Sequence, residues 1–274
     1  MLQLTVISQA YEFREIRFRS GEKPVYKELN SANDIRFPFK IDLSAAAHKV
    51  SLIIQAVLGG VNHIADQVTH RVQYNIDQRL IFPHVHRLVR CMVDCQNIAK
   101  DAVGIRNSLM LSRSLAARVW DDSPMVLQQI EQIGPVAVRK LMNANITSID
   151  ELSSTDPGRL ELVLGKASPY GMTMHRRAQE FPKLRVNLQM IGQPVSRRCR
   201  IFLTSRLIER QTIKPQEHVA VKVKIDFGFL NDKTPVSYRN KPVFVIVLLG
   251  TSDGHRLNFF RLRYAETRSF VTVN

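Results

Sequence analysis

The chain has 274 residues, 45% of them hydrophobic, and a formal net charge of +15. That length suits two or three domains, and that apolar content excludes wholesale disorder. No window approaches the ~20 consecutive apolar residues that span a bilayer, and the first twenty residues lack a signal-peptide layout. The three cysteines, Cys91, Cys95 and Cys199, are few and odd in number, which fits free thiols in a reducing compartment.

The charge is uneven. Residues 1–182 carry 22 basic and 18 acidic side chains, whereas residues 183–274 carry 17 and 6. Such a bias points to a polyanionic partner, nucleic acid or an acidic protein face. The alternative is a basic surface with no specific partner.

The first ~120 residues read as helical with loops. The apolar stretch Ala47–Leu58 predicts a helix stopped by Gly59 and Gly60. The next helix is expected over Ile81–Asp101, with Pro83 in its first turn. One face of it would carry Val85, Leu88, Val89, Met92, Cys95 and Ala99. The opposite face carries Arg87, Arg90, Asp94 and Asp101. Those charges cancel, so by pattern alone this is a solvated face with an Arg90–Asp94 pair. A further helix, about Ile105–Trp120, places Arg106 and Arg113 seven residues apart on one side, with no acid between them there. Cations near Trp120 suit a nucleic-acid strand. For the lone tryptophan, however, the structural role of plugging a domain junction is the favoured one, and the arginines stay open between the two roles.

Ser123 and Pro124 form a helix start, Ser148 and Glu151 a capping box, and Asp156-Pro157 another start, with Gly165 as a stop. Residues 124–182 therefore read as short helices. Within them, Met125–Leu152 (MVLQQIEQIGPVAVRKLMNANITSIDEL) predicts two helices flanking the turn Gln132–Pro135. In a helix-hairpin-helix such a turn aims the amides of the second helix at a phosphate. Ile133 and Gly134 sit at the turn, and Arg139 and Lys140 lie one helical turn in. The usual turn has two glycines around an apolar residue. Here Gln132 takes the first glycine's place, and Glu131 before it would repel phosphate. A structural hairpin and a DNA clamp fit the pattern about equally.

The period then changes to two. Leu184–Met190 and Val219–Phe227 alternate apolar and polar, as strands with one wet face do. Val243–Leu249 is continuously apolar, which predicts a central buried strand. Asp253-Gly254 predicts a hairpin turn into His255–Tyr264, and Ser269–Asn274 is strand-like. Together these predict a β-sandwich, either whole or lacking its final strand.

No catalytic machinery is visible. Residues 160–167, LELVLGKA, lack the first glycine of a phosphate loop and end in alanine where a hydroxyl would hold metal. His84, Cys91 and Cys95 share a helix side, but no second ligand cluster accompanies them at zinc-site spacing. No cofactor, metal or catalytic residue is expected.

Trp120, Ser123-Pro124, IEQIGPVAVRKLMNANITSIDEL, RLELVLGKASPYG and FPKLRVNLQMIG resemble the Sec-sixty-three-type domain of superfamily-two helicases. Within that group the chain looks most like the meiotic DNA helicases of the MER-three (HFM-one) type, in a fungal-like version. EFREIRFRSGEKPVYKELN and AHKVSLIIQAVLGG resemble the segments leading into it, and VKVKIDFGFLNDKTPV and VFVIVLLGTSDG its fibronectin type III-like β-sandwich. The resemblance implies a helical bundle over 1–122, a helix-hairpin-helix over 123–182 and the sandwich over 183–274. It also implies a nuclear setting, helicase motor domains in cis, DNA as single strand or junction, recombination proteins as partners, and no membrane. By position Ile81–Asp101 resembles the helix that contacts translocating single strand, so Arg87 and Arg90 join Arg106, Arg113, Ile133, Gly134, Arg139 and Lys140 as candidates. Residues 193–216 carry a surplus of five positive charges and depart from the family's short turn, either as a basic insertion or as a gene-model error, and the abrupt end suggests truncation. A protein-interaction module and the equivalent module of a splicing RNA helicase are the alternatives. The endoplasmic-reticulum translocation factor that names the domain has membrane spans and a His-Pro-Asp motif, neither of which the sequence contains.

Overall fold

The computed structural model of the chain describes residues 2–61, 68–191, 222–232, 235, 237–238, 241–263 and 271–273. Helices come first and antiparallel strands follow. The helices are α1 (Leu2–Ser8), α2 (Glu22–Asn30), α3 (Ala46–Gly59), α4 (Val68–Ile98), α5 (Ala102–Ala117), α6 (Pro135–Asn143), α7 (Ile149–Ser154), α8 (Pro157–Leu164) and α9 (Tyr170–Gln179). The strands are β1 (Leu184–Ile191), β2 (Lys222–Phe229), β3 (Ser237–Tyr238), β4 (Lys241–Pro242), β5 (Phe244–Gly250), β6 (Arg256–Arg263) and β7 (Val271–Val273). Met1–Gln179 with Leu248–Phe259 forms one compact unit, and Glu180–Val247 with Phe260–Asn274 the other. No helix among the described residues is long and apolar enough to cross a membrane. The basic stretch Gln193–Gln216, which includes Cys199, lies outside the described residues.

In the first unit the core gathers around α3, whose Val50, Leu52, Ile53, Ile54, Ala56 and Leu58 are fully buried. Each buried aliphatic is worth about 1.5–3 kcal/mol. The helix ends as its glycines predict, because Gly60 takes φ +69° and closes the last turn. Gly59 is needed for a close approach: a Cβ there would stand 2.4 Å from the Asp34 carbonyl oxygen. Two amide side chains, one of them fully buried, pin the adjoining extended segment. Gln55 accepts from the Phe37 N–H (2.8 Å) and donates to its carbonyl (3.2 Å). Asn30 does the same for Phe39, at 3.2 and 2.8 Å.

The same core buries one lysine. Lys49 Nζ lies 2.8 Å from Glu22 Oε2 and 2.9 Å from Asp77 Oδ2, and it donates to the Arg17 carbonyl at 3.1 Å. Burial pushes the neighbouring Tyr74 hydroxyl up to about 12. It also raises that of Tyr26, with the Glu22 and Asp77 charges adding to the effect.

Three elements differ from the sequence expectation. The helix predicted for Ile81–Asp101 is α4, which begins at Val68, so Pro83 sits in its interior. Proline removes one backbone bond there and costs about 3 kcal/mol. Ile81, Phe82 and Val85 beside it are buried and outweigh that cost. On the predicted core face Cys95 is exposed, and Val93 is buried instead. The first helix of the hairpin is a 3-10 helix, Pro124–Gln129, started by Ser123 Oγ accepting from the Met125 N–H (3.2 Å). Finally, β5 is not a central strand. Among the described residues it pairs only with β6, and along it Val245 and Val247 are buried while Phe244 and Ile246 are exposed. The apolar run reflects two faces of unlike exposure, which composition alone does not distinguish.

The expected caps are present. The Ser148–Glu151 capping box forms, Asp156 accepts from the Arg159 N–H, and Gly165 adopts φ +64°. Glu151 accepts from the Thr147 N–H and from Ser148, and these bonds hold its carboxyl below the usual carboxylate range.

In the second unit β1 and β2 pair antiparallel from Leu184↔Phe229 to Ile191↔Lys222, and β7 pairs with the other edge of β2. Asn231 fastens the start of β1: its Oδ1 accepts from the Lys183 N–H and its Nδ2 donates to the Phe181 carbonyl, both at 2.8 Å. The β5–β6 turn forms at Asp253-Gly254, with Gly254 at φ +92°. In the first unit that turn is tied to the α4–α5 corner, where the Ala102 N–H donates to the Gly254 carbonyl (2.8 Å) and the Arg256 N–H to the Lys100 carbonyl (2.7 Å).

Candidate nucleic-acid interface

The eight candidate residues fall into three places within the first unit. On α4, Arg87 and Arg90 are both exposed. Arg87 is not a free cation, since its Nη2 donates to Glu12 Oε1 at 2.5 Å. On α5, Arg106 and Arg113 are exposed too. The acid-free side expected for this helix does gain an acid: Asp121, beyond the helix end, accepts from Arg113 Nη2 at 2.7 Å. The chain brings Asp121 back because Arg118 takes a left-handed φ of +57° and closes the helix at Ala117.

The hairpin is the third place. Gln132 adopts φ +72°, the left-handed conformation that the missing glycine would have taken without strain. Ile133 is buried and anchors the turn, and Gly134 is the N-cap of α6 with open space around its Cβ position. The first-turn amides of α6 have no intrahelical acceptor. Val138 and Leu141, fully buried, root the helix. Arg139 and Lys140 do not act as a pair. Both are exposed, but Lys140 Nζ donates to the Leu164 carbonyl (3.1 Å) at the C-terminal end of α8, where a cation is favoured.

Two residues that the sequence pattern did not single out hold this turn. Tyr170 Oη donates to the Gln132 carbonyl at 3.1 Å. Arg177 donates to the Glu131 carbonyl at 2.9 Å, and its Nη2 lies 3.4 Å from the Glu131 carboxylate. The acid expected to repel phosphate is thus partly neutralised. These pairs span 38 and 46 residues, so no local signal could reveal them.

Trp120 is buried, with the Phe37 ring edge-on at 6.0 Å and the Arg36 guanidinium 4.5 Å above its ring. The ring thus packs into the core of the first unit rather than at a junction that the described residues show. Arg36 is held in turn by Asp122, whose carboxyl that hydrogen bond keeps below the usual aspartate range. Arg36 had no sequence signal either, since its partner lies 86 residues away.

Among the described residues no three His, Cys, Asp or Glu side chains gather as metal ligands. His84 packs against the Phe13 ring, and Cys91 and Cys95 are exposed free thiols.

The Sec63 Brl domain model matches residues 2–270 of the chain. The ATP-dependent DNA helicase MER3 of Saccharomyces cerevisiae is 30% identical over 195 residues, 68% of this chain and 16% of the yeast protein. The probable ATP-dependent DNA helicase HFM1 of Homo sapiens is 29% identical over 206 residues, 73% and 14% of the two chains. The ATP-dependent DNA helicase homolog MER3 of Arabidopsis thaliana is 27% identical over 214 residues, 70% and 19%. The chain therefore spans less than a fifth of the length of each of these relatives. Because the match takes in nearly the whole chain, from the first helix through β6, the chain belongs to the Sec63 Brl domain family.

Proposed function

We propose that the chain is the non-catalytic accessory module of an ATP-dependent DNA helicase of meiotic recombination, acting in the nucleus beside motor domains in cis. The observation that carries this is the family match over residues 2–270 together with relatives named as DNA helicases. In this reading residues 1–122 are the helical bundle, 123–182 the helix-hairpin-helix and 183–274 a fibronectin type III-like sandwich. The module touches the DNA backbone through α5 and the hairpin and scaffolds the motor.

The geometry supports a division of labour among the candidates. Gly134 has open space and Arg139 is exposed, so the α6 start suits one phosphate. Arg106 and Arg90 are exposed, whereas Arg87 and Arg113 already meet carboxylates. Phosphate must compete for those two.

The test is fluorescence anisotropy with a labelled single strand over a range of salt. The log affinity is expected to fall linearly with log salt. Arg106→Glu weakens binding alike for strands of different sequence, and Arg113→Glu weakens it less. Binding that ignores salt, or a variant that affects one sequence only, refutes backbone contact. The purified chain is expected to show no DNA-stimulated ATP turnover, and turnover that is lost on denaturing the chain refutes the reading. A second reading, a module that recruits recombination proteins, is supported by Phe244 and Ile246, which leave apolar surface exposed on β5. The equivalent module of a splicing RNA helicase would bind RNA in preference to DNA in the same titration.

A further inference from the structure

An open cavity of about 570 Å³ lies in the first unit, where the Asn33–Arg36 loop, the end of α3, the Trp120–Met125 segment and α6 meet. Its lining includes Asp34, Arg36, Trp120, Met125, Arg139 and Met142. Three features are notable. First, the Arg36 guanidinium is stacked on the Trp120 ring and held by Asp122. A guanidinium fixed in this way is a flat platform, and planar arginine faces stack unpaired bases. Second, Trp120 is 92% buried by residue, and its Nε1–H has no acceptor. A buried donor without a partner is uncommon, and a ligand acceptor is one way to satisfy it. Third, the rest of the lining is of another kind. Two methionines offer soft apolar surface, and Arg139 is an exposed cation. Pro135, at the start of α6, also lines the space.

We infer that this cavity receives one unpaired nucleotide of a single strand, its base stacked on Arg36 and its phosphate facing Arg139. The inference rests on the reading that the module contacts DNA and goes beyond it by naming a base-accepting subsite. An acidic peptide would also meet Arg139. The planar Arg36–Trp120 stack and the two methionines favour a flat, polarisable base over a carboxylate. The volume lies within the range of pockets that hold drug-sized ligands.

Trp120 is the only tryptophan in the chain, so its emission reports on this cavity. The full chain is titrated with an end-labelled twelve-residue oligothymidylate and with a strand of equal length made of abasic deoxyribose phosphate. Label anisotropy and Trp120 emission are followed together. The expected result is that both strands bind, but only the base-bearing strand changes Trp120 emission, and it binds roughly fivefold or more tightly, as one stacked base would give. Arg36→Lys, which keeps the charge and removes the plane, and Met142→Phe, which fills the space at a half-exposed position, each abolish the emission change and bring the affinity for oligothymidylate down to that for the abasic strand. Equal emission changes from both strands overturn the proposal, and so does a response that survives both substitutions. A larger response to a twelve-residue acidic peptide replaces the nucleotide with a peptide and overturns it too. If neither strand binds at low salt, the DNA reading fails along with it. Binding without any Trp120 response rejects the cavity alone.

Discussion

The Arg177 guanidinium holds Glu131 twice, donating to its backbone carbonyl at 2.9 Å and approaching its carboxylate to 3.4 Å. One side chain of α9 therefore fixes the entry to the hairpin and screens the acid beside it. Arg177→Ala is expected to weaken DNA binding although Arg177 need not touch DNA, because Glu131 then stands unscreened next to the turn. Glu131→Gly in the same background restores affinity. A binding isotherm at low salt for the two variants checks this, and no recovery in the double variant excludes the screening role.

Gln132 sits at φ +72°, a conformation that costs an L-residue roughly 1–2 kcal/mol. Gln132→Gly removes that strain but adds freedom to the unfolded chain. The net expectation is a gain of about 0.5–1 kcal/mol in urea unfolding. A loss would mean that the Gln132 side chain, rather than its backbone, maintains the turn.

Leu141 is fully buried beneath the hairpin. Leu141→Ala is expected to cost about 2–5 kcal/mol and to lower the melting temperature clearly. Should it be thermally silent while Arg139→Ala abolishes binding, the hairpin is a dedicated clamp and its structural role is secondary.

Lys49 is one cation facing two buried carboxylates, Glu22 and Asp77. Lys49→Met leaves both without a counter-charge, a change that costs about 3–5 kcal/mol where a buried pair is broken from one side. Adding Glu22→Gln and Asp77→Asn recovers part of the loss. Denaturant midpoints of the single and triple variants decide it.

The Arg36–Asp122 bond holds the Asp122 carboxyl below the ordinary aspartate range. A depressed folded value means that the bond contributes fully above the unfolded value and is lost as pH falls through the folded one. Trp120 emission, which senses Arg36 at 4.5 Å, is therefore expected to change on acidification below the usual carboxylate range. Asp122→Asn shifts the starting emission and removes that step. A midpoint at ordinary aspartate pH would contradict the pairing.

The sequence by itself determined the features that rest on local chemistry. Glycines at positions 60 and 165 end helices because they take positive φ, and Ser123, Ser148 and Asp156 start them because their oxygens accept from first-turn amides. Period-two alternation located β1, and the family resemblance followed from motifs spread along the chain. Tertiary structure decided where charge is available. Arg87 and Arg113 sit on helix faces that the sequence pattern told apart, yet each is claimed by a carboxylate from another segment, Glu12 or Asp121. Lys140 turns to a helix end, Arg36 lies on an indole 84 positions later in the sequence, and Arg177 reaches back to Glu131. Pro83 reads as a helix start, but the buried residues around it carry the helix through. A cap is settled within four residues, whereas an ion pair or a stack depends on which distant segments the core brings together, and only the folded chain specifies that.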